Sequence, residues 1–206
     1  MAPATRAELE AKLTASSAAT IDTRQLLAGV IGFFMQTGFA LLEAGAVGFR
    51  SCQHILLKSC MDACTGGLVW WACGYAFASG DSKTNGFMGT KYFFVAGEGT
   101  DYTMWLFRCT FACTAATIVS GSLVERVQIN TCLLFSFCCT GFIHPVVVAW
   151  TWGGGWLADQ SYQDFAASGI VHLTGGAAGL VGAIIAEPGS ARVLEAVWKA
   201  GLTSQA

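Results

Sequence analysis

Asp164, Ser168 and His172 follow one another at four-residue intervals in the apolar stretch "DFAASGIVHLTGG". On a helix with a rise of about 1.5 Å per residue, all three share one face and His172 lies ~12 Å from Asp164. A neutral imidazole both donates and accepts hydrogen bonds. In a membrane the stripe therefore favours a path for a polar solute or for protons. Asp164 is also a suitable N-cap residue, which is the structural alternative.

Aromatic side chains form a second candidate set. Phe107 and Phe111 are one helical turn apart in "WLFRCTF", and Trp152 follows in "AWTWGGGW". Stacked rings at the mouth of a path attract a small cation by cation–π interactions and exclude water and bulky ions. The alternative is an aromatic belt at the membrane interface, which would account for Trp152.

Three further ionisable residues, Glu43, Lys58 and Asp62, lie inside apolar stretches. Lys58 and Asp62 are four residues apart, so they share a helix face and can pair. The apolar neighbours of these residues offer no path for a solute. We therefore interpret all three as structural, in a salt bridge or a hydrogen-bonded lock between helices.

The nine cysteines lie in or beside apolar stretches, where thiols are small packing groups. Cys60 with Cys64, and Cys109 with Cys113, have the spacing of neighbours on a helix. No histidine or carboxylate nearby completes a tetrahedral set with either pair. The sequence predicts neither a metal site nor a cofactor. It also contains no pairing of a nucleophile with a base, so we do not predict an enzyme.

The composition indicates which elements position these residues. The chain is 54% hydrophobic and only 12% charged, whereas soluble domains are about 25% charged. Apolar stretches of about 20 residues recur, long enough to cross a hydrocarbon core of ~30 Å. The net charge is −2 with scattered basic residues, which does not favour binding to nucleic acid. The composition therefore predicts a multi-pass integral membrane protein in a lipid bilayer.

Five stretches are long and apolar enough to be transmembrane spans. In lipid a spanning segment must satisfy its own backbone hydrogen bonds, so each stretch should be helical. The predicted fold class is all-α, a polytopic membrane helix bundle. The spans are expected at about residues 26–47, 54–78, 102–123, 128–150 and 165–186.

The spans divide the chain into three segments. Residues 1–23 form an extramembrane segment, residues 24–187 the membrane domain, and residues 188–206 an amphipathic surface segment. Thr5 and Glu8 in "TRAE" have the spacing of a capping box, which predicts a short helix through about Leu13. The start of the chain lacks the apolar region of a signal peptide.

Five motifs, in order and at matching spacing, resemble the ammonium transporter (Amt/Mep/Rh) family. The resemblance covers about residues 26–187 and implies a fold of eleven helices, in which the first five and the next five are inverted repeats. This chain would then equal one repeat, with its N-terminus outside. The motifs are "MQTGFALLEAGAV", "NGFMGT", "FACTAATIVSGSLVER", "GFIHPVVVAWTWGGGWLA" and "DFAASGIVHLTGGAAGLVGA".

The resemblance also implies roles for the candidate residues. Phe107 and Phe111 look like the gate, and Trp152 looks like the aromatic wall of an outer cation site. Asp164 is similar to the buried aspartate that supports this site, and His172 to the first of two pore histidines. Ammonium would be captured at the mouth and stripped of water, and the histidines would supply hydrogen bonds inside the conduit.

Three features depart from the family's pattern. The second repeat, with the partner histidine, is not in the sequence. Arg108 occupies a position between the gate phenylalanines where the family has an uncharged residue, and its charge would oppose cation recruitment. Ala149 replaces the histidine or similar residue that commonly precedes the tryptophan motif.

Two functions are therefore predicted as alternatives. In the first, the chain is half of an ammonium/ammonia conduction path, completed by a second chain or by an inverted copy. In the second, it is a non-transporting structural or accessory subunit of a larger membrane complex. The expected partners are the bilayer, ammonium or ammonia if transport is retained, and other membrane subunits in a homotrimer or a hetero-complex.

Overall fold

The computed structural model describes residues 5–81, 86–124 and 126–186. The amphipathic segment predicted for residues 188–206 lies outside the described residues. Within the described ranges all regular secondary structure is helical, as the composition predicted. Five helical spans cross the molecule, and the predicted all-α bundle is confirmed.

Span 1 is the single helix α1 (Arg6–Ala46) of 41 residues. The predicted capping box is confirmed, since Glu8 N donates to Thr5 Oγ1 at 3.4 Å and Thr5 N donates to Glu8 Oε2 at 2.9 Å. The prediction that this first helix ends near Leu13 is wrong. Residues 14–25 contain neither glycine nor proline, so nothing interrupts the helix. Thus α1 runs through the boundary placed at residue 23.

Spans 2 and 3 follow at the predicted places. Span 2 begins with α2 (Cys52–Val69), continues through a π-helical segment (Trp70–Gly74) and ends with α3 (Tyr75–Ser79). A loop with a short 3-10 turn (Phe93–Val95) leads to span 3. Span 3 is α4 (Tyr102–Ser122).

In the loop between spans 2 and 3, a salt bridge lies outside the bundle. Lys91 Nζ donates to Asp81 Oδ2 at 2.8 Å. This hydrogen bond and the charge of the carboxylate raise the pKa of Lys91. Both side chains are largely exposed, so the pair contributes little to stability.

Spans 4 and 5 also contain π-helical turns. Span 4 comprises α5 (Ile129–Cys138), a π segment (Cys139–Ile143) and α6 (His144–Trp150). A four-residue helix, α7 (Trp156–Asp159), lies in the loop that follows. Span 5 begins with a π segment (Ser168–Leu173) and continues as α8 (Thr174–Ile185).

Helix α4 is the centre of the bundle and packs against α1, α2 and α8. Its buried face consists mostly of small residues, which let neighbouring helices come close. A Cβ at Gly32 of α1 would lie 2.8 Å from Thr110 Oγ1, and one at Gly179 of α8 would lie 2.8 Å from Ser122 Oγ. Glycine is therefore the residue that permits both crossings.

The first and last spans form the periphery of this bundle. Among the described residues, four helices combine the length and mean hydropathy of membrane spans, namely Arg6–Ala46, Tyr102–Ser122, Ile129–Trp150 and Ser168–Ile185. Most residues of α1 and α8 are exposed. Leu180, Ile184 and Ile185 on α8 are 64–77% exposed, so this surface faces lipid or another protein segment.

Candidate functional site

Three aromatic rings form a continuous row between spans 3 and 4. The ring centroids of Phe107 and Phe111 are 4.9 Å apart, and those of Phe111 and Trp152 are 5.8 Å apart. The interplanar angles are 84° and 79°, so the rings meet edge to face and the expected stacking is wrong. Edge-to-face contacts are favourable because the positive edge of one ring meets the negative face of the next. All three rings remain partly exposed.

The row of rings is tied to the start of span 5 through Trp152. Its indole Nε1 donates to the backbone carbonyl of Asp164 at 3.0 Å. This bond holds the Trp152 indole, the last ring of the row, beside the residue where the chain turns into the last span. The structure therefore brings Phe107, Phe111, Trp152 and Asp164 together, as predicted.

The carboxylate of Asp164 caps span 5 from a loop position. Oδ1 accepts from Ser168 Oγ at 3.0 Å. Oδ2 accepts from the backbone N–H groups of Gly169 at 3.0 Å and Ile170 at 2.7 Å. Free N–H groups at a helix start carry partial positive charge, so they stabilise an anion. This buried carboxylate has a donor for each oxygen.

The stripe expected from the spacing of Asp164, Ser168 and His172 is wrong in its geometry. The last span begins at Ser168 and not near residue 165. Ala166 and Ala167 have φ values of 58° and 63°, so the chain turns sharply between Asp164 and the helix. The rise of a continuous helix therefore does not separate Asp164 from His172. Strained backbone of this kind often occurs at functional sites.

His172 is exposed on the unpartnered face of span 5. Its Nδ1 lies 3.3 Å from the carbonyl oxygen of Ala167. If Nδ1 carries the proton, it donates to this carbonyl and leaves Nε2 as an acceptor on the open side. Gly176 and Leu180, at four-residue steps from His172, are also exposed. The histidine thus lies on a continuous open face.

Sequence reasoning did not single out Gly169, at the start of span 5, or Tyr162, in the loop before it. A Cβ added to Gly169 would collide with the hydroxyl of Tyr162 and lie 3.2 Å from Asp164 Oδ2. Glycine is therefore needed where Tyr162 and the Asp164 carboxylate press on the helix start. A glycine directly after Ser168 was the available signal, but its neighbours come from the loop.

Arg108 and Ala149, the two residues that depart from the family's pattern, each make a contact that the structure defines. Arg108 Nη1 donates to Ser79 Oγ at 2.7 Å, so the guanidinium is bound to the end of span 2. Ala149 is fully buried, and its carbonyl accepts from Gly155 N at 2.9 Å.

The intramembrane charges lie on the other side of α4. Lys58 Nζ donates to Glu43 Oε2 at 2.5 Å, which joins spans 1 and 2. Among the described contacts Lys58 therefore pairs with Glu43, although its spacing also allowed a pair with Asp62. Asp62 Oδ2 instead accepts from Thr117 Oγ1 at 3.0 Å. The two acids and the lysine are each at most 5% exposed.

His144 is a further residue that the sequence did not single out. It is fully buried at the start of α6, where its ring centroid lies 6.0 Å from that of Trp70. His144 directly follows the π segment of span 4, and Trp70 is the first residue of the π segment of span 2. Such segments often occur at functional positions.

The apolar helices and the row of Phe107, Phe111 and Trp152 define a multi-pass integral membrane protein with an aromatic site at the start of span 5. The chain belongs to the ammonium transporter family. The model of the Ammonium Transporter Family matches residues 25–198.

Two relatives show how much of the family is present. The chain is 42% identical over 175 residues to "Ammonium transporter 1 member 3" of Solanum lycopersicum, covering 79% of this chain and 38% of that protein. It is 38% identical over 176 residues to "Ammonium transporter Amt2" of Archaeoglobus fulgidus, covering 79% of this chain and 37% of that protein. The chain therefore spans less than half the length of these relatives.

Solved structures show the same fold over the same part. A "Sensor Amt Protein" superposes with a TM-score of 0.76 at 28% identity, covering 81% of this chain and 44% of that chain. Mep2 of Saccharomyces cerevisiae superposes with a TM-score of 0.69 at 26% identity, covering 80% of this chain and 39% of that chain. The predicted resemblance and its fold are confirmed.

Proposed function

We propose that this chain forms one half of an ammonium/ammonia conduction path. The observation that carries the proposal is the row of Phe107, Phe111 and Trp152, which is bonded to Asp164 at the start of span 5, the span on which His172 is exposed. Its relatives include proteins named as ammonium transporters. The array has a polar and an aromatic part, which suits a small cation that must lose its water.

In this path the aromatic row receives the cation. The faces of Phe107, Phe111 and Trp152 attract a cation that is poorly hydrated, and their bulk limits the passage of water. Asp164 acts as a positioning residue, because its oxygens are engaged by Ser168 and two backbone N–H groups. Its negative charge and its carbonyl bond to Trp152 hold the mouth in place.

His172 supplies hydrogen bonds beyond the rings. With Nδ1 bound to the Ala167 carbonyl, Nε2 is available to accept a hydrogen bond from ammonium or ammonia. An imidazole can also take up the proton of ammonium and release it again near neutral pH. These steps are worth most in a dry conduit, where few other polar groups are within reach.

The proposed path needs a second wall. His172, Gly176 and Leu180 lie on an exposed face, and a conduit open to lipid along its length cannot hold a polar solute. We infer that a second five-helix segment, in the same polypeptide or in another, covers this face. Trimers of the completed unit, as the family resemblance implies, are the proposed assembly.

Methylammonium flux into liposomes tests the proposal. The chain is reconstituted alone and together with the C-terminal half of the tomato relative. We expect flux only with the second half, and His172→Ala should reduce it ~10-fold or more, as expected for loss of a hydrogen bond worth about 1.4 kcal/mol. His54→Ala is the matched control, since His54 is also exposed but lies on α2.

The outcomes separate the two predicted functions. Flux that depends on His172 and not on His54 supports a conduction path. A stable complex of the two halves without flux would contradict it and favour the accessory subunit. Equal loss of flux in both histidine variants would show that the histidine effect is not specific to the open face.

A further inference from the structure

Asp62 lies in a second buried polar cluster, separate from the aromatic site. The residues of this cluster come from spans 1 to 4, and none of its hydrogen bonds involves span 5. Asp62 is only 1% exposed. Its two carboxylate oxygens differ in their hydrogen-bond partners, and this difference indicates which ligand the site binds.

The cluster has one more acid than base. Glu43 and Asp62 are the acids, and Lys58 is the base. Lys58 Nζ donates to Glu43 Oε2, and it lies 3.3 Å from Ser120 Oγ and 3.5 Å from the carbonyl of Ser120. These contacts use the three ammonium hydrogens, so the lysine has no donor left for Asp62.

Asp62 Oδ2 receives at most one hydrogen bond from its surroundings. Thr117 Oγ1 lies within hydrogen-bonding distance of Asp62 Oδ2, of Gln36 Oε1 and of the Cys113 carbonyl, at 3.0, 2.8 and 2.9 Å. A hydroxyl has a single hydrogen, so it can serve only one of these acceptors fully. An ionised carboxylate with one shared donor is poorly stabilised in a low-dielectric interior.

The other oxygen, Asp62 Oδ1, has no hydrogen-bond partner among the described residues. The hydroxyl of Ser136, on α5, faces this carboxylate. Ser136 is also 1% exposed, and its Oγ likewise has no partner within the described part of the chain. The Ser136 hydroxyl can donate to an ionised carboxylate or accept from a protonated one. The charge of the cluster decides between the two, because an ionised Asp62 would leave an uncompensated negative charge in the interior.

We propose that Asp62 is a proton-binding site, in which the carboxyl group carries one proton on Oδ1 and donates it to Ser136 Oγ. The proton comes from solvent water, and no bond other than the new O–H forms. The ion pair of Glu43 with Lys58 then leaves the cluster neutral. This inference does not depend on the conduction path, because span 5 takes no part in it.

Other titratable groups surround the carboxyl group on each neighbouring helix. None of the thiols can supply a compensating positive charge, so Lys58 is the one cation near Asp62 among the described residues. The groups are Glu43 on α1, Lys58 on α2, Cys113 on α4, Cys132 on α5, and Cys139 in the π segment of span 4.

Infrared difference spectroscopy of the full chain in liposomes at pH 7 tests the proposal. We expect a carbonyl stretching band of a protonated carboxyl group that is lost in Asp62→Asn. The band should remain in Glu43→Gln, the matched control, because Glu43 is the carboxylate paired with Lys58. It should shift to higher frequency in Ser136→Ala, since the hydrogen bond to Ser136 weakens the C=O bond.

Isotope labelling keeps the test independent of whether the variants fold. Aspartate carrying ¹³C at its carboxyl carbon should shift the band of the unsubstituted chain. Absence of any such band, or its loss in Glu43→Gln and not in Asp62→Asn, would overturn the proposal. A rise in Tm with NaCl but not with choline chloride, lost in Asp62→Asn, would show that sodium ion occupies the site, which also overturns it.

Discussion

Asp62 and Asp164 are both buried, yet the protein surrounds their carboxylates with different donors. Asp164 accepts from Ser168 and from the N–H groups of Gly169 and Ile170. Asp62 shares one hydroxyl hydrogen with two other acceptors. The first carboxylate lies at a helix start, where free N–H groups favour an anion. The second lies between helices whose backbone groups are already paired, so only side chains can satisfy it.

This difference shows why residue type alone does not set the state of a buried acid. Three donors surround the Asp164 carboxylate at the mouth of the proposed path, where a negative charge favours a cation. Asp62 binds a proton and leaves the packing between spans 1 to 4 neutral. Unfolding of variants of the purified chain in detergent tests this difference between Asp62 and Asp164.

The largest effect is expected for Lys58→Met, which leaves the buried Glu43 carboxylate without its cation. Removal of one partner from a buried ion pair costs about 3–5 kcal/mol. Adding Glu43→Gln should recover most of this loss, and adding Asp62→Asn should recover little. Thermal unfolding followed by tryptophan fluorescence measures the differences. Better recovery with Asp62→Asn would show that Lys58 neutralises Asp62.

The direct comparison is Asp164→Asn against Asp62→Asn. The first change should cost about 2–4 kcal/mol, because an amide loses the charge that three donors stabilise. The second should cost less than about 1 kcal/mol, because the amide resembles a protonated carboxyl group. The Tm values of the two variants, measured at one pH, check this order. Equal losses would remove the contrast between the two aspartates.

Gly169→Ala tests how tightly the Asp164 site is packed. The new methyl group would collide with the Tyr162 hydroxyl and crowd Asp164 Oδ2. Overpacking of this kind costs about 1–3 kcal/mol. Gly176→Ala is the matched control, since a Cβ there has nothing within 4 Å. Adding Tyr162→Phe should recover part of the lost Tm, and no recovery would mean that the hydroxyl is not the obstacle.

Among the changes at the Asp164 site, the smallest effect is expected for Ser168→Ala. This change removes one of the three donors to Asp164, at a cost of about 0.5–1.5 kcal/mol. Ser168 is exposed, so water can take its place. The two backbone N–H groups of Gly169 and Ile170 remain. A loss of Tm as large as that of Asp164→Asn would show that the hydroxyl, and not the helix start, holds the carboxylate.

Much of the fold could be predicted because hydropathy and helix signals are local. Spans 2, 3 and 4 begin and end within about two residues of the predicted places. The capping box of Thr5 and Glu8 was also predicted correctly. The continuous helix across residues 14–25 was not predicted. This stretch is rich in polar residues, but polarity alone does not end a helix.

The sequence indicated which residues to group in the candidate site, but it did not predict how they are arranged. The family resemblance grouped Phe107, Phe111, Trp152 and Asp164 as one set, and the structure brings them together. The edge-to-face rings and the positive φ values of Ala166 and Ala167 were not predicted. Alanine rarely adopts this conformation, so the local sequence does not predict the turn.

The sequence by itself determined the class of protein, the number of spans and the family, because these follow from composition, apolar length and ordered motifs. Only the tertiary structure decided which carboxylate Lys58 pairs with and which donors reach Asp62 and Asp164. Such pairings join residues far apart in the chain, since Glu43 meets Ser120 and Asp62 meets Thr117. They depend on how the helices cross, and small residues such as Gly32 and Gly179 set those crossings.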